Sequence, residues 1–278
     1  MSRPFSQVDV FGESPCTGNP VAVVLDAEGM GEEEMQRFAR WTNLAETTFV
    51  LPPTRPEADY RVRIFTPVLE LPFAGHPTLG TCHAWIEAGG MRRAGDEIVQ
   101  ECEAGLIRIR REEDRLAFEA PPMVRSGPAS EEDAAKVAGA LGVDPAELLA
   151  VEWVDNGPGW ITALFESAER VLELRPGALD FDLGAAGFHP MGAPAAIEVR
   201  AWAPVNGLAA EDPVTGSLNA SLAQWLIGSG RLAAPYLAHQ GTAIDRAGRI
   251  HVSQDDEGAI WIGGGSSTVI SGQLAKPR

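Results

Sequence analysis

The chain has 278 residues, 45% hydrophobic and 22% charged, the profile of a globular protein large enough for one big domain or two of common size. With 39 acidic residues against 22 basic ones and a formal net charge of −17, it is a poor candidate to bind DNA, RNA or an anionic membrane surface, each of which needs clustered Lys and Arg. A small anionic ligand stays admissible, because backbone amides can hold one without any cation.

No stretch reaches the ~20 apolar residues that cross a bilayer. The opening MSRPFSQVDVFGESP lacks the apolar segment of a signal peptide, so the expected location is cytoplasmic. Cys16, Cys82 and Cys102 are too few and too scattered for a disulfide framework or a zinc cluster. The five histidines lie apart, with no HExxH or HxH pair, and His76 with His83 makes at most an incomplete site. Metal dependence is not expected.

In chain order, alternation over residues 5–11 predicts a strand, CTGNP (16–20) a turn, and VAVVL (21–25) a buried strand. EEEMQRFARW (32–41) is an amphipathic helix with acids at its start, where the helix dipole favours them. TTFVL (47–51) and YRVRIFTP (60–67) are strands, and PTLGTCHAWIEAG (77–89) is a helix opened by proline. Residues 97–120 read as three strands with turns near Ala104-Gly105 and Glu113-Asp114.

PPMVRSGPAS (121–130) is the candidate linker, giving domains of 1–120 and 121–278. Beyond it come a helix (131–142), strands (160–165 and 195–204), a second apolar helix (217–230), and closing strands (249–254 and 259–265).

The two apolar helices share a preface. Aligning LPFAGHPTLG (71–80) with DPVTGSLNAS (212–221) sets Pro72 on Pro213, Gly75 on Gly216 and His76 on Ser217. Trp85 and Gly90 meet Trp225 and Gly230 after a one-residue drift. A duplicated architecture follows, although the signal is short in a chain rich in Gly and Pro.

A helix apolar on nearly every face belongs inside its domain. Pro77 suits the first helical position, with His76 as cap, and Ser217 suits an N-cap. The leading amides of both helices lack intrahelical partners and carry partial positive charge. If the two halves face each other, the two starts converge on one cleft able to hold a carboxylate or an oxyanion. On the residues alone, Ser217 can be only a cap and His76 only a loop contact.

NLAETTFV (43–50) adds a reactive group, with Glu46 at the entrance of a strand. A carboxylate moved into an apolar cleft has its pKa raised, which suits a group that takes and returns a proton. The alternative is a solvated glutamate at a strand end.

Four segments now carry a resemblance: GNPVAVVLD (18–26), NLAETTFV (43–50), RIFTPVLELPFAGHPTLGT (63–81) and EDPVTGSLNA (211–220). Together with AHQGTAIDRAGRIHV (238–252), similar to a Glu-Gln-Gly segment, they resemble the PhzF-like family of phenazine biosynthesis, in order and over nearly the whole chain. The resemblance implies an α/β (α+β) diaminopimelate epimerase-like fold: two similar domains, each a curled mixed β-sheet around one central helix, with the last strand able to return to the first domain, usually in a homodimer.

It also implies a cofactor-independent isomerase acting on a small carboxylate-bearing, cyclic amino-acid-like substrate. Glu46 matches the acid/base, while His76 and Asp212 match residues that contact substrate polar groups and assist protonation. Gly75, Gly216 and Ser217 match the helix starts that receive the carboxylate, with Pro77 beside them.

Epimerases of this fold place a cysteine at each helix start, where this chain has His76 and Ser217, so two-base thiol chemistry is disfavoured. Two departures bear on the substrate: Ala45 stands where phenazine-precursor enzymes often have serine, and His239-Gln240-Gly241 replaces Glu-Gln-Gly. Amino-acid racemisation or epimerisation, and ligand binding without catalysis, stand as alternatives.

Overall fold

The computed structural model describes residues 2–92, 95–112 and 114–275, so Glu113, expected at a turn, lies outside them. The chain divides into two units, Met1–Glu119 with Gly263–Arg278, and Ala120–Ile262.

The first unit contains β1 (Arg3–Val10), β2 (Asn19–Val24), α1 (Glu32–Thr42), β3 (Glu46–Leu51), β4 (Tyr60–Phe65) and β5 (Glu70–Leu71). It continues with α2 (Gly75–Glu87), β6 (Ile98–Cys102), β7 (Gly105–Glu112) and β8 (Arg115–Glu119), and the chain's last strand, Ser266–Leu274, joins it as β18. The second contains β9 (Arg125–Pro128), α3 (Glu131–Leu141), β10 (Ala150–Asp155), β11 (Ile161–Phe165), α4 (Ala168–Glu173) and β12 (Leu183–Phe188). Then follow β13 (Ile197–Val205), β14 (Leu208–Asp212), α5 (Gly216–Gly228), β15 (Tyr236–Gln240), β16 (Gly248–Gln254) and β17 (Ile260–Gly264), which carries the chain over the boundary.

Both units build their sheets by the same steps. In the first, β18, β1 and β2 are antiparallel, β3 joins β2 in parallel, β4 is antiparallel to β3, and β6 joins β4 in parallel before antiparallel β7 and β8. In the second, β9, β10 and β11 are antiparallel, β12 joins β11 in parallel, β13 is antiparallel to β12, and β15 joins β13 in parallel before antiparallel β16. Short β5 and β14 hairpin onto β4 and β13. Each parallel step needs a crossover, and helices supply it: α1 and α2 in one unit, α4 and α5 in the other.

The sheet of the first unit curls around α2, which packs against β1, β2, β3, β8 and β18. This explains the helix's lack of a polar stripe: Gly75 through Cys82 are all buried. The opposite face of the sheet carries Val24, Phe49, Leu51 and Phe65 against Met35 and Ala39 of α1. Strands covered on both sides read as continuous apolar runs, as VAVV in β2 does.

Three expectations are corrected. The proposed linker 121–130 contains β9, paired with β10 through Ser126 and Gly127. The central helices run Gly75–Glu87 and Gly216–Gly228, each starting ahead of its expected first residue. The run at 259–265 is not the last strand, because β18 follows it and pairs along the whole of β1.

Candidate functional site

Period-2 alternation decides where Glu46 points. On β3, Phe49 and Leu51 pack toward α1, and Thr47 contacts Thr42 of α1 at 2.9 Å. The alternate residues therefore face α2, and Thr48 shows it by accepting a hydrogen bond from Thr81 of α2 at 2.8 Å. Glu46 shares that face, opposite Val21 of β2. Its Oε2 lies 3.2 Å from Nε2 of His76, with only 15% and 4% of the two side chains exposed.

His76 is fixed from its other side. The Asn19 amide nitrogen meets Nδ1 at 3.2 Å, and with that amide donating, the neutral ring keeps its proton on Nε2, toward Glu46. Burial pushes the imidazole down to about 3, a shift only partly opposed by the Pro20 backbone beside it. The positive end of α2 disfavours a cation there as well. The contact is thus between Glu46 and a neutral imidazole and is not an ion pair. At 3.2 Å it is off-angle for a hydrogen bond, and His76 Nε2 has no hydrogen-bond acceptor among the described residues.

Asn19 is held in turn by Asp9, whose carboxylate accepts from the Thr17 and Gly18 amides at 3.0–3.2 Å and pins the turn before β2. Asn19 is a site residue that motif reading passed over, because it sits 57 positions from its histidine.

The capping expectation is corrected. Ala74 and Thr215 are the N-caps, neither with a side-chain cap bond, so His76 and Ser217 are second residues of their helices. The first helical bonds run from Thr78 to Ala74 at 3.2 Å and from Asn219 to Thr215 at 3.0 Å. The Gly75 and His76 amides, and those of Gly216, Ser217 and Leu218, precede them and are the orphan donors of each helix. Pro77 has no amide hydrogen, so it contributes shape only.

In the second unit Asp212 closes β14, and its Oδ2 accepts from the Thr215 hydroxyl at 2.5 Å. Gln240 organises this start: its Oε1 accepts from the Thr215 amide (3.0 Å) and Asn219 (2.8 Å), and its Nε2 donates to the Thr215 hydroxyl (2.9 Å) and the Asp212 carbonyl (3.2 Å). Ser217 Oγ accepts from Trp160 Nε1 at 3.1 Å, and its carbonyl accepts from Asn156 at 2.9 Å, leaving the serine hydrogen to donate elsewhere. The equivalent of β3 here is β12, whose α5-facing residues include Gly184, against Leu218, and Ala186. Leu183–Phe188 itself carries no acid, and the nearest one, Asp182, precedes the strand and is raised to about 6 by burial.

The structure brings Glu46, His76, Gly75 and Pro77 together in the first unit, and Asp212, Gly216 and Ser217 together in the second. Cys82 and Cys102 are buried, and burial pushes their thiols up to about 12 and about 11. Neither can serve as a ready thiolate.

A curled mixed sheet around one apolar helix, built twice, is the diaminopimelate epimerase-like fold, and the solved structures agree. A PhzF-family phenazine biosynthesis protein of Bacillus anthracis superposes with a TM-score of 0.81 at 23% identity, over 99% of this chain and 100% of that one. Residues 8–272 match the family described as phenazine biosynthesis-like protein, and the chain belongs to it.

It is 36% identical to antisense-enhancing sequence 1 of Schizosaccharomyces pombe, with 97% of each chain covered. It is 34% identical to trans-2,3-dihydro-3-hydroxyanthranilate isomerase of Pseudomonas aeruginosa, over 96% of this chain and 97% of that one. The protein is an isomerase of this family.

Proposed function

We propose that the protein moves a proton between carbons of a small, carboxylate-bearing, cyclic amino-acid-like substrate, with Glu46 as the acid/base and no cofactor in the reaction. The observation that carries this reading is the contact between Glu46 and a neutral, buried His76 at the start of α2. A carboxylate in such surroundings can take a proton from carbon and return it to another position, so the balance closes on one residue. His76, with Nε2–H toward the reacting region, supplies a hydrogen bond to a substrate polar group and steadies charge developing during transfer.

Asp212 is assigned to a polar substituent such as an amine. Gly75 in the first unit, and Gly216 with Ser217 in the second, are assigned to substrate binding through the unpaired amides of their helix starts, and Pro77 shapes the wall beside Gly75. The 34% identical relative named for a dihydro-hydroxyanthranilate supports this substrate class. A cytoplasmic homodimer completes the proposal, and sedimentation at micromolar concentration tests the dimer.

The deciding experiment is proton exchange in deuterated water, read by NMR over cyclic and amino-acid carboxylates. Migration places deuterium on a carbon distinct from the one that loses its proton. Uptake at one stereocentre with inversion, or binding without exchange, would refute the reading.

A further inference from the structure

On the second unit's sheet, on the face away from α5, two histidines and a glutamate meet. We infer that His189, Glu198 and His239 form a binding site for a zinc-class divalent cation, with three protein ligands and a fourth position open to water.

The topology makes the cluster. Glu198 of β13 is paired with His239 of β15 on one side and Gly187 of β12 on the other. His189 lies two residues beyond Gly187 and so shares its face. Its amide bonds to the Ala196 carbonyl at 2.9 Å, and the Ala196 amide to the Leu237 carbonyl at 2.8 Å, which locks the three segments side by side. Gly187 places no side chain in between, and a Cβ there would meet the Ser167 carbonyl oxygen at 2.3 Å.

The geometry suits a metal. One candidate ligand atom from each residue lies within 4.8 Å of the other two. His189 Nε2 and Glu198 Oε2 are 3.2 Å apart, close to the ~3.3 Å edge of a tetrahedron with metal–ligand bonds of about 2.0–2.1 Å. The two rings stand 70° apart with centroids at 5.6 Å, so their nitrogens can converge without stacking.

Glu198 supplies the independent argument. It is 1% exposed, and its Oε1 has no hydrogen-bond partner among the described residues. A histidine hydrogen bond to Oε2 satisfies half of this carboxylate, whereas a cation satisfies the charge as well. Two imidazoles and one carboxylate select zinc and its neighbours over the all-oxygen preference of calcium or magnesium. Gln240, the residue after His239, points the other way and holds the start of α5, so a cation here would stiffen the strand that positions that helix.

The test uses the full chain, stripped with chelator and desalted, then titrated with Zn²⁺ against a competing chelator and, in parallel, with Co²⁺. The expected result is one equivalent per chain, four-coordinate Co²⁺ absorption bands, and a thermal midpoint raised by bound Zn²⁺. His189→Gln and His239→Gln, both at partly exposed positions, should each weaken binding at least tenfold while keeping the far-UV circular dichroism spectrum. Cys16→Ser and His83→Gln should leave it unchanged. Stoichiometric binding that survives the His189→Gln/His239→Gln double variant, or wild-type protein that takes up no equivalent at micromolar Zn²⁺, would overturn the inference.

Discussion

Glu46 Oε2 and His76 Nε2 face each other at 3.2 Å, yet burial holds the imidazole neutral down to about pH 3. The contact is therefore not an ion pair at neutral pH. A neutral imidazole that donates from Nε2 is a positioning and polarising group, and the proton traffic falls to the carboxylate. The start of α2 reinforces this division, since its partial positive charge repels an imidazolium and welcomes an anion.

Glu46→Gln should therefore lower kcat by about 10²–10⁴-fold, the range for loss of a general acid/base, while KM changes little because the amide keeps the shape. Deuterium uptake into substrate and thermal unfolding are the measurements. Full exchange in this variant would remove the acid/base assignment.

The His76 shift also makes a stability prediction with a definite sign. An unfolded histidine titrates near 6.5 and the folded one near 3, so between those values the unfolded chain binds more protons and stability falls as pH falls. The loss reaches about 2 kcal/mol by pH 5 from this group alone. Asp182 acts in the opposite sense, because burial and the Asp155 charge raise it to about 6. The comparison must therefore be between proteins. Urea unfolding from pH 7 to 5 should show a shallower decline in His76→Gln than in wild type, and equal slopes would contradict the buried neutral ring.

Much of this site was legible in the residues. Glu46 at a strand entrance, His76 after a glycine and the 141-residue offset of the central helices all come from local pattern, and α2 and α5 keep that offset from first residue to last. What pattern could not supply was long-range pairing. Asn19 meets His76 across 57 positions, Trp160 meets Ser217 across another 57, and the Gln240 network spans 25 to the Thr215 amide. The caps were misplaced because Pro77 and Ser217 are good residues for positions they do not occupy, the helices starting earlier on Gly75 and Gly216. β18 escaped because SSTVISGQL has mostly half-buried or exposed residues, and only its pairing with β1 makes it a strand.

Gln240→Ala should disorder the start of α5 and cost about 1–3 kcal/mol, since four hydrogen bonds depend on one buried amide. KM should rise more than kcat falls, because the lost order lies in the proposed binding residues and not in Glu46. Denaturant unfolding and steady-state kinetics read the two effects. An unchanged KM would detach Gln240 from binding.

Two glycine replacements should act in opposite directions. A Cβ on Gly80 would sit 2.4 Å from Val21 Cγ1 and 2.9 Å from Val10 Cγ2, so Gly80→Ala should push α2 off its sheet and destabilise by about 1–3 kcal/mol. Gly139, inside α3, meets nothing within 4 Å, and Gly139→Ala should stabilise by about 0.5–1 kcal/mol through helix propensity. Thermal melts of the pair separate close packing from propensity.

Thiol titration tests the exclusion of cysteine-based two-base chemistry. Cys16 is exposed, whereas Cys82 and Cys102 are buried with thiols pushed up to about 12 and about 11. A thiol reagent at pH 8 should modify one group rapidly in the native protein and all three in denaturant. If substrate exchange persists after the native-state modification and in Cys82→Ala, the reaction does not pass through sulfur. Loss of exchange in Cys82→Ala with intact Glu46 and an unchanged fold would instead return a thiol to the mechanism, because nothing else about Cys82 connects it to proton transfer.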